Sequence, residues 1–402
     1  MIDTVPWPGP LAGIRVLDLS RVLAGPAASL ALADLGAEVW KIEPPGTGDE
    51  TRTFPPIREG ESHYFLGNNR GKKSIVIDLK TEDGVTIVKA LAAKADILVE
   101  NYRPGVMDRL GLGYETLSAI NPRLIYCAIS GFGMTGPLRD RPSFDIVAQA
   151  LSGVLSVNGE LDRDAVKLGL PMGDLVGGIN GPIAILAALH ERHTTGRGRL
   201  IDVSLMDGLM GLLGYIAQLA FFTGEDPRPF GSQHPNLVPY GAFPASDGSV
   251  IVACLTNIFW SRICRALGMD GAADDPRFAT TQARRDHREE VNALLSAHTE
   301  RHTMDELCAL FAQHHVAHAP VLGVREALAQ PQAVARNMVV EVEHATLGRV
   351  PIVNRPIRFV DAPQPPPAAP PMLGQHSDEI LGQVLGFDAA RIAELREAGV
   401  VA

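Results

Sequence analysis

The chain has 402 residues, room for two or three domains of roughly 150 residues, or for one large α/β domain carrying an insertion. Hydrophobic residues make up 46% and charged residues 20%, and the 40 glycines and 30 prolines follow no collagen-like period, which excludes disordered and fibrous classes. A net charge of −10 provides no global field for nucleic acid or an anionic membrane, so a polyanionic ligand must meet a local basic pocket.

The start, MIDTVPWPGP, lacks a basic segment followed by an apolar run, and no apolar stretch of about 18 residues is expected later, so neither export nor membrane spanning is predicted. Ile14 to Leu19 predicts a strand, and Pro26 then opens a small-residue helix that Gly36 closes. Val39 to Ile42 and Ser74 to Leu79 are the next strands. Thr81, Glu82 and Asp83 cap a helix ending near Ala93. Asp96 to Glu100 and Leu124 to Ile129 return as buried strands, and Phe144 to Leu151 reads as helix. This alternation predicts an α/β fold with a Rossmann-like parallel sheet. Leu175 to His193 is a long apolar helix whose Gly177, Gly178 and Gly181 mark a close approach by another backbone or by a ligand. After Met206 to Phe222, TGEDPRPFGSQHPN breaks the pattern and places a boundary near residue 225. One strand, VIVACL, and several helical segments then form a small separate domain. The tail carries strand-like pieces between Val339 and Phe359, the extended connector APQPPPAAPP, and two short amphipathic helices from Ser377 to Gly399.

The four cysteines form no C-x-x-C pair, which fits a reducing compartment, the cytoplasm. Gly131, Gly133 and Gly136 match the first half of a dinucleotide fingerprint, but Pro137 follows where a helix should start, so NAD binding is disfavoured. His314 and His318 would share a helical face without a third ligand nearby, and no metal is expected. Nucleophile-elbow, Walker A and H-E-x-x-H patterns are absent. Asn101 to Arg109 follows a strand, where the ligand crevice of an open α/β sheet lies, and Lys72 and Lys73 adjoin another strand. Asp174 stands ahead of the long helix, where an N-cap carboxylate is favoured as the ion. Gly173, Gly177 and Gly178 are expected to leave room for a bulky reactant to reach it.

Taken in order, VLDLSRVLAGP (16–26), DLGAEVWKIEPPGTGDETR (34–52), NNRGKKSIVIDLK (68–80), ADILVENYRPGVMDRLGLGYE (95–115), NPRLIYCAISGFGMTGP (121–137), MGDLVGG (172–178) and PMLGQHSDEIL (371–381) resemble the family III (CaiB/BaiF) CoA-transferases, which include formyl-CoA transferase and carnitine CoA-transferase. The resemblance implies a large Rossmann-like domain from residues 1–224 and 331–402, a smaller α+β domain from 225–330, and an interlocked homodimer. It makes Asp174 the nucleophile toward an acyl-CoA thioester, acting through a mixed anhydride and an aspartyl-CoA thioester. Backbone N–H groups of Gly173 to Gly178 are expected as oxyanion donors. Coenzyme A is expected as the co-substrate, with no metal. Its contacts would be Leu23, Ala24, Ile77, Asp78, Leu79, Lys80, Asn101, Tyr102, Arg103, Arg109, Pro142, Ser143, Phe144 and Asp145. Pro44 replaces an arginine common in the family, so Lys72 or Lys73 is expected to supply that cation, and Gly231 to His234 replaces the family's glycine-rich lid. RVLAGP, GDETRTF and HPNLVPYGAF are most similar to succinyl-CoA:glutarate CoA-transferases, implying a dicarboxylate oriented by Arg52, Gln233 and His234. Two other readings are an isomerase like α-methylacyl-CoA racemase, disfavoured because Phe144 cannot transfer a proton, and a CoA-binding protein without catalysis.

Overall fold

Six short apolar runs pair in parallel: β1 (Arg15–Asp18), β2 (Glu38–Glu43), β3 (Lys72–Val76), β4 (Ile97–Glu100), β5 (Ile125–Ser130) and β6 (Leu200–Ser204). In the computed structural model, which describes residues 7–362 and 364–402, they stand in the order β3-β2-β1-β4-β5-β6. The order reverses between β1 and β4, and ligands of such sheets bind past the strands' carboxyl ends at that point. Residues 1–6, part of the stretch MIDTVPWPGP on which the export reading rests, and Pro363 of the proline-rich connector lie outside the described residues.

Alternation along the strands sorts the core into two faces. Val16, Val39, Ile97, Ile125 and Cys127 pack under helices α1 (Ala24–Asp34) and α3 (Met172–Thr195), while Leu17, Trp40, Leu98 and Tyr126 face the other way. Pro26 is the third residue of α1, where the missing N–H has no intrahelical partner to lose. The C-terminal segment covers the open edge of β3: Asp78 N donates to Val400 O, and Val76 N donates to the Ser377 hydroxyl.

Two compact units divide the chain, one containing residues up to Leu155, Lys167–Gly224 and Gln332–Ala402, the other Ser156–Val166 and Glu225–Pro331. The second unit holds an antiparallel sheet of β7 (Tyr240–Ala245), β8 (Gly248–Ala253) and β9 (Ala317–Pro320) over a core containing Trp260, Ile263 and Phe311. His318 lies on β9 and His314 caps the helix before it, so the shared helical face is corrected. No cluster of three metal-ligating side chains occurs among the described residues.

The expectation that no run reaches membrane-spanning length also needs correction. By length and apolar composition, both α3 and α4 (Leu205–Thr223) qualify. The first is a core helix, with Gly181, Ile185 and Leu189 buried, whereas the second exposes Leu212, Tyr215, Phe221 and Phe222.

Candidate active site

Helix α3 runs antiparallel to the sheet, and its glycines set its depth. A Cβ at Gly177 would lie 3.1 Å from Ile129 Cγ2 and 2.6 Å from Leu205 Cδ2, and one at Gly178 would lie 2.7 Å from the Ala27 Cβ. Gly177 lets α3 sit close against β5 and Leu205, and Gly178 lets it touch α1, which corrects the expectation that Gly177 and Gly178 clear space for a reactant. Ile129 is the penultimate residue of β5, so the turn preceding Gly177 projects beyond the strand ends. That turn carries Asp174.

Pro171 is the N-cap of α3, which makes Asp174 its third residue and not the cap. The cap role belongs to Asp145, first residue of α2 (Asp145–Leu151), whose Oδ1 accepts from Gly173 N at 2.7 Å and Asp174 N at 3.4 Å. Its Oδ2 accepts from Gln149 Nε2 at 2.6 Å, and the buried Gln149 in turn accepts from Leu168 N at 3.0 Å. A second carboxyl therefore occupies the positive end of α3. Burial and then the Asp145 charge push Asp174 up to about 7, overturning the expectation of a helix-stabilised ion.

Because Asp145 takes the N–H groups of Gly173 and Asp174, and Leu175 N donates to Pro171 O, the expected oxyanion donors at the start of α3 are occupied. The start of α1 is different. Among the described residues, the N–H groups of Leu23 and Ala24 have no hydrogen-bond partner. Tyr64 belongs to the same neighbourhood: burial and the Asp174, Asp49 and Asp145 carboxylates raise its phenol above the usual range. No local signal marked Tyr64, or Asp145 as a cap, because both act through partners distant in sequence.

The model of CoA-transferase family III matches residues 11–377. This chain is a family III CoA-transferase. It is 39% identical over 393 residues to succinyl-CoA:glutarate CoA-transferase from Homo sapiens, covering 98% of this chain and 90% of that one. It is also 39% identical over 375 residues to acetyl-CoA:oxalate CoA-transferase from Acetobacter aceti, covering 92% and 95%. A crystal structure of a CAIB/BAIF family protein from Brucella suis superposes with a TM-score of 0.86 at 39% identity, covering 94% of this chain and 99% of that one.

This CoA-transferase moves CoA between acyl-CoA thioesters and carboxylic acids, and its cations divide into two groups. Lys80, Arg103 and Arg109 follow β3 and β4, are exposed, and make no ion pair among the described residues. Lys72 and Lys73 instead begin β3, and their expected contact with CoA is corrected. Lys72 is buried on Asp18 Oδ2 (3.2 Å), Pro26 O and Asn69 Oδ1 (both 2.9 Å), while Lys73 pairs with Glu38 and Glu379 at 2.7 Å each. Arg52, expected to hold a substrate carboxylate, is likewise committed, with two bonds to Glu43 (2.7 and 2.8 Å) and its guanidinium 3.5 Å from the centre of the Phe65 ring.

Asn101 ties the loops after β1 and β4 together, accepting from Arg21 N and donating to Arg21 O at 2.8 Å each. Tyr102 lies under the Arg21 guanidinium. Ile77 is buried at the C-terminal edge of β3, where Asp78 Oδ1 accepts from Lys80 N at 2.9 Å and Leu79 is half-buried. Pro142 and Phe144 are exposed, the latter by 75%, while Ser143 and Asp145 are half-buried. In the second unit, Gln233 Oε1 accepts from Asn292 and Arg288, and His234 Nδ1 accepts from Asn236 N and Leu237 N. Both side chains hold loop structure.

Proposed function

We propose that Asp174 is the covalent nucleophile of this CoA-transferase and that the enzyme takes succinyl-CoA or a similar dicarboxylyl-CoA as donor. The observation carrying the first part is a half-buried carboxyl projecting past the strand ends, beside the open N-terminus of α1. Deprotonated Asp174 attacks the thioester carbonyl, and the CoA thiolate leaves, giving an aspartyl–acyl anhydride. The thiolate then attacks the aspartyl carbonyl, expelling the first acid as its carboxylate and forming aspartyl-CoA. The second carboxylate attacks the aspartyl carbonyl of aspartyl-CoA, expelling the CoA thiolate and forming a new anhydride, and that thiolate attacks the acyl carbonyl of the anhydride, forming the new acyl-CoA and releasing Asp174 as its carboxylate. Every intermediate keeps one acyl group activated, so no step needs an external energy source. The Leu23 and Ala24 N–H groups serve as donors to the developing oxyanions.

The unpaired Lys80, Arg103 and Arg109 suit the CoA phosphates. Changing Arg103 and Arg109 together to Gln is expected to raise KM for the thioester about tenfold or more with kcat little changed, read from steady-state kinetics. The donor proposal rests on succinyl-CoA:glutarate relatives, although 39% identity is shared equally with a relative named for acetyl-CoA and oxalate. Incubating the enzyme with succinyl-CoA and a panel of acids, and weighing the new thioesters by mass spectrometry, tests it. Glutaryl-CoA formation supports the proposal, while exchange only with monocarboxylyl-CoA donors rejects it.

The charge of Asp145 has a kinetic signature. Its Asn variant keeps an acceptor for Gly173 N and removes the negative charge that helps hold Asp174 near 7. The acidic limb of kcat/KM is therefore expected to move by about one pH unit toward lower pH, increasing relative activity at pH 6.

We further propose that the exposed apolar face of α4 is covered by a second copy of the chain. Light scattering should give twice the monomer mass.

A further inference from the structure

On the sheet face opposite α3, between the carboxyl ends of β4 and β5, lies a cavity of about 200 Å³. At its inner wall is Glu100, only 6% exposed, with Oε2 accepting from Tyr102 N at 2.7 Å. Its other oxygen has no hydrogen-bond partner among the described residues, and the residue lines the cavity. We propose that this cavity is a second ligand site, one that takes a small alkylammonium ion whose charged end meets Glu100 and whose body lies against Met107 and Met134.

The charge balance selects a cation. Asp108 and Glu115 line the space with Glu100 against one opposing side chain, Arg103, and Glu100 adds a further negative charge once it gives up its proton. Tyr102, Tyr114 and Tyr126 add aromatic surface, the last two with ring centres 6.0 Å apart, and such faces attract cations. Ala128 and Leu200 complete an apolar wall that suits a hydrocarbon body and gives little to a purely ionic ligand. Burial first, against the Tyr102 N–H bond, and then the Asp108 charge push Glu100 up to about 8. At neutral pH it therefore keeps its proton. A cation binding there must displace that proton, whereas a water molecule or neutral guest need not.

Calorimetry of n-butylammonium binding at pH 7, in two buffers of different ionisation enthalpy, tests the proposal, with n-butanol as the uncharged control. The expected result is a Kd on the order of 1 mM, release of roughly one proton per site, and at least tenfold weaker binding of butanol. Glu100→Gln is expected to lose both the affinity and the proton release. Met134→Trp, which crowds the cavity and leaves the carboxyl in place, is expected to lose the affinity even if the Gln variant folds poorly. Absence of butylammonium binding at tens of millimolar, equal binding of butanol, or binding unaltered in a folded Glu100→Gln or Met134→Trp variant would each overturn the proposal.

Discussion

Replacing Asp174 by Asn is expected to reduce kcat/KM for acyl exchange by at least about a thousandfold while making the folded protein more stable at neutral pH. The two effects share one cause. Burial and the Asp145 charge raise Asp174 from 3.8 to about 7, so the folded chain holds that proton more tightly than the unfolded chain does. Ionising the group therefore costs stability as pH rises from about 4 through 7, reaching on the order of 4 kcal/mol. Asn carries no charge and escapes this cost. Denaturant titrations should show the variant gaining over the wild type at pH 8 and gaining little at pH 4. A variant that lost activity without this pH-dependent gain would have failed for some reason other than removal of a strained carboxylate.

The second large effect lies beneath the site. Asp18 is fully buried between Lys72 Nζ at 3.2 Å and the hydroxyls of Ser20 and Ser29, the latter at 2.5 Å. Beside it, Lys41 Nζ meets Asp49 Oδ2 at 2.9 Å and donates to Ser20 O. Asp18→Ala leaves two buried ammonium groups short of negative charge, and breaking such a pair costs roughly 3–5 kcal/mol. Urea unfolding at pH 7 reads the loss. The double variant Asp18→Ala, Lys72→Met should recover part of it, because removing both charges also removes their desolvation.

Acid should expose the same network. Burial pushes Asp49 up, but Lys41 and the Thr51 hydrogen bonds overcome it and hold Asp49 at about 2. Lys72 and Lys41 likewise hold Asp18 below its ordinary value against burial. Folded values below the unfolded ones mean stabilisation that is complete above about pH 4 and is lost as pH falls. For Asp49 the loss runs through about 2.

Much of this framework was readable from residue order. Apolar β-branched runs placed five of the sheet's strands close to where they stand, because buried parallel strands need little except continuous hydrophobicity. The start of β3 was misplaced because Lys72 and Lys73 look like solvated loop, and only the distant Asp18, Glu38 and Glu379 explain their position. In the small unit, β7 contains Pro244 and β9 ends in Pro320. Prolines argue against a strand unless it lies at an edge, as both of these do beside β8.

Asp174 was legible as a carboxylate in the first turn of a long helix, and its family context was carried by long ordered motifs. Its protonation was not legible. That property depends on burial first and then on Asp145, which caps Gly173 from 28 positions earlier in the chain. The glycines of α3 misled for a related reason: small residues allow a ligand or the protein's own elements to approach, and the contacts with Ala27, Ile129 and Leu205 select the latter.

Covalent participation of Asp174 is tested most directly by quenching the enzyme with hydroxylamine during incubation with succinyl-CoA, then sequencing its peptides by mass spectrometry. A hydroxamate at Asp174 that requires the thioester is the predicted result. Thioester-dependent hydroxamate at another carboxylate, with Asp174 unmodified during turnover, would contradict the account.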